Sequence, residues 1–393
     1  MDSGVGLVRR VLGWLGQPDP PLEDESQPLT VRDKSVRSLY LGRSVQAWLR
    51  FEGGDPLRAA VLGVPALESF ADVAALLGID ERRLVWLCYQ PDDHGVDHYH
   101  RFVIPKRNGE QRPISAPKAD MRTAQRVIQR EILAKIPVHD AATAYRPGAS
   151  IVANAGHHTG QAVVIRLDIA DFFPTISRKR VKGMFASFGY SEGVAAVLAL
   201  LTTDTPRDQT GTTSPLLGRR DRVLYDDADA CLPQGACTSP AIANVICGRL
   251  DARLTGLARK RGFTYTRYAD DMTFSHPAAD APVGRLISSA VHILGAEGFA
   301  PNASKARVTR AHQRQIVTGL LVNNGVAVPR ADLRRFRAIL HSAERDGFEQ
   351  ASQTLGKDVV AYARGYIAYI QMVDPANAAR IRERHPWVMQ SDQ

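Results

Sequence analysis

Residues 263–276 read FTYTRYADDMTFSH, a strand-forming run broken at its centre by two adjacent aspartates, Asp270 and Asp271. Short charged side chains are poor strand residues, and two like charges side by side repel. A single extended strand would lose stability from the pair. A tight hairpin with the charges at its turn would not, because the Tyr, Thr, Phe and Met flanks can pair with each other. The stretch therefore predicts two short antiparallel strands joined at the aspartates. Taken alone, the charged tip of such a hairpin reads as a solvated turn.

A second acid interrupts a second pattern. VVIRLDIADFF is an apolar run of the kind found in buried strands, and Asp168 lies near the end of its strand portion. A carboxylate there is costly unless something pairs with it. A single such aspartate equally reads as a cap or turn acid. Brought beside the Asp270–Asp271 turn, however, Asp168 would concentrate negative charge that a cation must relieve. Oxygen ligands without histidine favour Mg²⁺, with Mn²⁺ as a substitute. Two such ions about 3.5–4 Å apart would stabilise the attacking and leaving oxygens of a phosphoryl transfer.

The total charge agrees with a polyanionic partner. Net charge is +9 and the pI about 9.5, which favours nucleic acid first and an anionic membrane second. No apolar run of about 18 residues predicts a membrane span. The N-terminus, with Asp2, Arg9 and Arg10, makes a poor signal peptide. Cys88, Cys231, Cys237 and Cys247 form no CxxC pair, so reduced thiols and a cytoplasmic location are expected. The cluster Asp92, Asp93, His94, Asp97, His98 and His100 fits no zinc spacing and reads as a polar loop.

Local signals organise the remainder. Residues 1–16 have the pattern of an amphipathic helix and 17–36 that of a proline-rich, charged linker. A helical extension is expected over 37–98, with Ser69 and Asp72 as a capping box, Gly78 as a C-cap and Asp80 capping the next helix. That pair has a helix-turn-helix outline but is read as a packing unit. Strand-like runs flank Arg107-Asn108-Gly109, a hairpin signal. Helices are expected over 120–136, 177–188, 191–201, from LPQGACTSP to about Leu257, over 283–295 and through most of 330–386. Residues 202–229 read as a polar hairpin or insertion.

YADD, an upstream LDIADFF and an intervening LPQGACTSP together resemble the reverse transcriptase family, in the family's order and from about Tyr99 to the C-terminal helices. The resemblance implies an α+β right-hand polymerase, with fingers and palm over 99–311 and a helical thumb over 312–393. It implies metal ligation by Asp168, Asp270, Asp271 and the Ile169 carbonyl. Phe173 would be the aromatic gate that rejects a ribonucleotide 2′-OH, so the substrates would be dNTPs; a core phenylalanine is the other reading of this pair of rings. Gln234 and Gly235 would sit against the nucleotide and template, and Lys106 and Arg112 would hold the triphosphate. Lys305, in GFAPNASK, would be the general acid toward pyrophosphate, against the plain reading of a surface lysine.

Two further elements narrow the resemblance to retron enzymes: Asn154, Ala155 and His158 match NAxxH, and Val317-Thr318-Gly319 matches VTG. The resemblance then assigns these residues to RNA binding, with Arg334, Arg335 and Arg337 on the thumb facing RNA phosphates. His158 reads equally as a structural histidine. By this resemblance the chain would copy a structured noncoding RNA into DNA from a guanosine 2′-OH, giving a branched product (msDNA), and would act in antiphage defence with an effector protein. The residues before Tyr99 would dock that effector or extend the fingers. An intron-derived or other domesticated enzyme with 3′-OH priming stays open, as does a non-catalytic RNA-binding scaffold, although all three acids are present. The stretch after Asp271 has room for a thumb and little for intron-type maturase and endonuclease regions. Pro240 after Ser239 also departs from the pattern of diversity-generating enzymes.

Overall fold

The computed structural model describes the backbone of residues 37–40 and 46–49, and residues 50–88, 97–105, 109, 111–205 and 230–389. Expectations for 1–36, Lys106, the hairpin turn at 107–108, the acids and histidine at 92–94, and most of 202–229 lie outside the described residues.

Strands β1 (Arg37–Tyr40) and β2 (Gln46–Leu49) pair antiparallel where a wholly helical extension was expected. Helices α1 (Pro56–Leu62), α2 (Phe70–Leu77) and α3 (Glu81–Cys88) follow. The capping box closes as predicted: Asp72 N donates to Ser69 Oγ at 3.1 Å, and Ser69 N to Asp72 Oδ2 at 2.9 Å. Phe70, Val73, Leu77, Leu84 and Leu87 are buried in the same apolar cluster as the central strands. The α2–α3 pair is thus part of the main core, and His98 is buried behind it with Nε2 2.9 Å from the Trp86 carbonyl.

Strands β3 (Tyr99–Pro105) and β4 (Gln111–Pro117) form the predicted hairpin, paired from Tyr99↔Pro117 to Pro105↔Gln111. Helices α4 (Ala119–Glu131) and α5 (Ile151–Gly156) lead to strand β5 (Val163–Asp168). After it come α6 (Arg178–Ala186), α7 (Glu192–Thr202), α8 (Ser239–Ile246) and α9 (Gly248–Lys260). The last two were expected as one helix. They break at Cys247, next to Gly248, which has no side chain to stiffen the turn.

Strands β6 (Thr264–Tyr268) and β7 (Asp271–His276) make the aspartate hairpin, followed by α10 (Val283–Ala296) and β8 (Arg307–Arg310). The four central strands lie in the order β6-β7-β5-β8, all antiparallel. Met272, Thr273, Phe274 and Ser275 are successive and all buried, so this sheet is covered on both faces. That double burial explains why β5 reads as a nearly continuous apolar run.

Short strands β9 (Ile316–Val317) and β10 (Leu320–Leu321) precede helices α11 (Arg330–Asp346), α12 (Phe348–Leu355), α13 (Val359–Val373) and α14 (Pro375–Arg384). Phe336, Leu340, Ala363, Ile367 and Ile370 build a separate core for these helices. No helix among the described residues is long and apolar enough to cross a membrane.

One buried ion pair joins the β3–β4 hairpin to the central body. Arg101 on β3 donates through Nη1 to Asp204 Oδ2 at 2.7 Å and through Nη2 to Oδ1 at 3.0 Å. The two side chains are 7% and 3% exposed. Removing one partner leaves a buried charge half-matched. Asp204→Ala is expected to lower unfolding free energy by about 3–5 kcal/mol, read from the denaturant midpoint.

Candidate active site

The register of β5 against β7 sets Asp168 directly opposite Asp271. Opposite residues on adjacent antiparallel strands present their side chains to the same face. Asp270 occupies the intervening β6–β7 turn, and its carbonyl accepts from Ile169 N at 3.0 Å. The end of β5 is thereby tied to the turn of the neighbouring hairpin, and all three predicted acids are brought together at one end of the central strands.

The acids crowd one another. The Asp168 carboxyl is pushed up to about 6, first by burial; the charges of Asp270 and Asp271 add to the shift and the Lys305 hydrogen bond opposes it. Each strand acid faces a cation of the chain. Lys305 Nζ donates to both Asp168 oxygens at 2.9 Å. Arg166 grips Asp271 through Nη2 and, at 3.3 Å, through Nε. Among the described residues no three acidic, imidazole or thiol groups are gathered tightly enough to form a ready ligand set. The donor chemistry nonetheless fits a hard divalent cation: oxygen atoms only, with an ionisation of Asp168 that the neighbouring acids oppose and positive charge restores.

The turn itself is strained. Ala269 has φ 58°, a left-handed conformation that costs an ordinary residue about 1–2 kcal/mol. Tyr145 (φ 59°) and Asp171 (φ 44°) share that conformation nearby. Such outliers gather at functional sites, where the surroundings over-determine them. Tyr145 is a residue that sequence reasoning missed. Its ring lies 6.5 Å from that of Tyr268, and its hydroxyl is pushed up by burial and by the charge of Asp270. The only prior signal was its place in the Gly/Pro-bearing loop AYRPGAS.

The other predicted residues divide clearly. Phe172 is buried, with its ring 5.3 Å from Phe173 and 6.1 Å from Phe299. Phe172 is therefore the core ring, and Phe173 is half-buried at its edge. Arg112 is exposed on β4, and its charge reaches the Tyr145 hydroxyl. Gln234 accepts from Ser115 N through its carbonyl at 2.8 Å, which docks the LPQG loop onto β4. Gly235 has φ 123°, and a Cβ there would meet Ile114 Cγ2 and the Ser115 carbonyl at 3.0 Å. The close approach that glycine permits is thus to the chain's own β4 backbone.

The expected RNA contacts need correction. Asn154, His158 and Val317 are 1%, 0% and 0% exposed, so none can touch RNA directly. Asn154 lies on α5 and His158 in the turn that follows it, and both point inward. His158 Nδ1 lies 2.7 Å from Ser275 Oγ, and Nε2 lies 2.8 Å from Thr266 Oγ1. Thr266 and Thr143 both donate to Asn154 Oδ1, at 2.8 and 2.7 Å. Burial pushes the imidazole down to about 3, so it is neutral and matched by two hydroxyls. Thr318 donates to the Ile151 carbonyl at 3.0 Å, and Gly319, at φ 84°, completes the turn. The two elements brace one another behind the aspartate hairpin. Arg334, Arg335 and Arg337 are exposed on α11, and Arg337 lines a basic groove with Arg380 and Arg384 of α14.

Gly235→Ala is expected to cost about 1–3 kcal/mol of stability, because the new side chain meets backbone and the φ is unsuited to alanine. A urea titration reads that loss.

The family described as reverse transcriptase (RNA-dependent DNA polymerase) matches residues 104–321, which include the three acids, Phe173, the LPQG loop and Lys305. The chain is 37% identical over 335 residues to the retron Mx162 reverse transcriptase of Myxococcus xanthus, covering 81% of this chain and 67% of that protein. It is 37% identical over 333 residues to the retron Mx65 reverse transcriptase of the same organism, covering 84% and 74%. The retron Ec86 reverse transcriptase of Escherichia coli is 28% identical over 324 residues, covering 81% and 89%. With that family match and relatives of this kind over most of its length, the chain belongs to the retron reverse transcriptases, RNA-directed DNA polymerases of a metal-dependent family.

Proposed function

We propose that this protein copies part of its own structured noncoding RNA into DNA, starting from an RNA 2′-OH and yielding a branched RNA–DNA molecule. The observation that carries the reading is the convergence of Asp168, Asp270 and Asp271 at one end of the central strands, where burial and the two neighbouring acids raise the Asp168 carboxyl. Asp168, Asp270, Asp271 and the Ile169 carbonyl would hold two Mg²⁺ ions. When bound, these would activate the attacking hydroxyl and offset charge on the departing pyrophosphate.

The chain's own residues do the rest. Lys305, 55% exposed and already at the site, is free to turn from Asp168 and hand a proton to the leaving pyrophosphate. Arg112, with Lys106, would hold the triphosphate of the dNTP. Phe173, with its half-buried ring, would be the gate against a ribose 2′-OH. Gln234 and Gly235, fixed on β4, would form the floor under the nucleotide and template. On the thumb, Arg334, Arg335 and Arg337 would take RNA phosphates, and the groove shared with Arg380 and Arg384 extends that positive track. Asn154, His158, Val317, Thr318 and Gly319 would serve RNA binding only indirectly, by holding the hairpin and the β9–β10 turn. The product would act in antiphage defence together with an effector protein.

The test uses the protein purified with its cognate RNA. Asp270→Ala is expected to reduce cDNA synthesis by about 10²–10³-fold or more; undiminished synthesis would show the carboxylate assignment to be wrong. Lys305→Ala should lower the rate of nucleotide addition by about 10²-fold with little change in dNTP affinity. Phe173→Ala should admit ribonucleotides, scored as alkali-labile sites in the product. The 2′ linkage is read with a debranching enzyme: release of the DNA from the RNA supports it, and resistance points to 3′-OH priming.

A further inference from the structure

Arg267 lies three residues before Asp270, and nothing in its flanks predicts that it should be inside. It is nevertheless the largest fully buried side chain among the described residues, and its partner Asp251 on α9 is equally inaccessible. Nε donates to Asp251 Oδ1 at 2.8 Å and Nη2 to Oδ2 at 2.6 Å. Tyr265 donates its hydroxyl to the same Oδ1 at 2.9 Å. Nη1 is shared between Asn244 Oδ1 and the carbonyl of Ala269, both at 3.1 Å. Asn244 in turn donates to the Ala144 carbonyl at 2.8 Å, beside Tyr145. The Arg267 backbone is held as well: its N–H donates to Ala141 O at 2.7 Å, and its carbonyl accepts from Thr143 N at 2.8 Å.

The carbonyl that Nη1 grips belongs to the left-handed residue immediately before Asp270. We infer that the Arg267–Asp251 pair is a latch that fixes the Ala269 turn and so sets the position of the Asp270 carboxylate. Arg267 is a positioning residue; it touches no reacting atom. The chemistry explains why arginine stands there. A planar five-donor fork can hold a carboxylate with two nitrogens while the third reaches a carbonyl and an amide. A lysine supplies one point charge and cannot span these acceptors. A buried ion pair is poor as a source of stability, and its best-attested use is to fix register. Here the register is that of a strained turn, gripped at its one ordinary residue with positive φ.

The inference rests on the carboxylate assignment above, and the experiment separates the two. Mn²⁺ binding is measured by electron paramagnetic resonance on the protein–RNA complex, alongside single-turnover nucleotide addition and thermal melting. In Arg267→Lys we expect a folded protein whose Mn²⁺ affinity falls at least tenfold and whose rate falls at least thirtyfold, with dNTP affinity little changed. Adding Ala269→Gly, which takes positive φ freely, should recover part of both losses. A merely structural pair would lose melting temperature without that recovery. Should Arg267→Lys not fold, Asp251→Asn carries the test, because it removes the charge and one of the two acceptors that hold the Arg267 fork in place. A folded variant with Mn²⁺ affinity and rate within twofold of the parent overturns the latch. Asp270→Ala is run in parallel: if it keeps full Mn²⁺ affinity the carboxylate assignment fails, and if it alone loses affinity only the latch fails.

Discussion

The pairing of β5 with β7 is the constraint on which the site depends. It places two aspartates opposite each other, an arrangement that repulsion disfavours. The register is enforced from behind. Leu167 faces Met272 and Ile165 faces Phe274, all four 0–1% exposed. A slip by one residue would turn every one of these side chains to the other face of the sheet. Burial of four large apolar side chains, at roughly 1.5–3 kcal/mol each, outweighs the repulsion of one partly screened acid pair. The hydrophobic core thus holds charge at high density where charge alone would not gather.

Strand β6 extends this control to the turn. Side chains alternate across a strand, and here the alternation is put to two uses. Tyr265 and Arg267 reach one way, to Asp251 on α9. Thr266 reaches the other way, to Asn154 and His158 around α5. The hairpin bearing Asp270 is held on both faces by satisfied polar groups, which resist displacement because each broken bond leaves a buried partner unmatched. The retron-type NAxxH and VTG elements belong to this support. Val317 and Ala155 share an apolar cluster with Val164 of β5, so both elements act on the strand that carries Asp168.

Features with local causes were legible in the sequence. The capping box at Ser69, the β3–β4 hairpin and the charged turn at Asp270 follow from spacing and residue type. The partners of buried polar residues were not. Asn154 and His158 stand at helical spacing, but spacing leaves open whether that face looks to RNA or to the core. The inward choice depends on Thr266 and Ser275, more than a hundred positions away in sequence. Arg267 was hidden for the same reason, since an arginine in an alternating strand reads as solvent-facing until Asp251 is placed against it. The α8–α9 break and the β1–β2 pairing contradict the helical pattern, and neither is marked by more than a glycine or a polar residue. Tyr145 was invisible because its significance is its backbone conformation beside Asp270, which no side-chain pattern encodes.

The contact between Lys305 and Asp168 joins these threads. A half-buried carboxylate among like charges is stabilised by a positive partner. Lys305 meets that need from a loop that is itself anchored to β5, since Asn302 N donates to the Asp168 carbonyl at 2.7 Å. Its ammonium is the exposed member of the pair, so it can leave without exposing any apolar surface. Arg166 cannot substitute for it, because its fork is already committed to Asp271. In the polymerase reading, Asp168 would help hold the divalent ions, and Lys305 would turn from it to protonate the departing pyrophosphate. One side chain would then both balance the acids and supply the proton, and its flexible stem is what allows both roles.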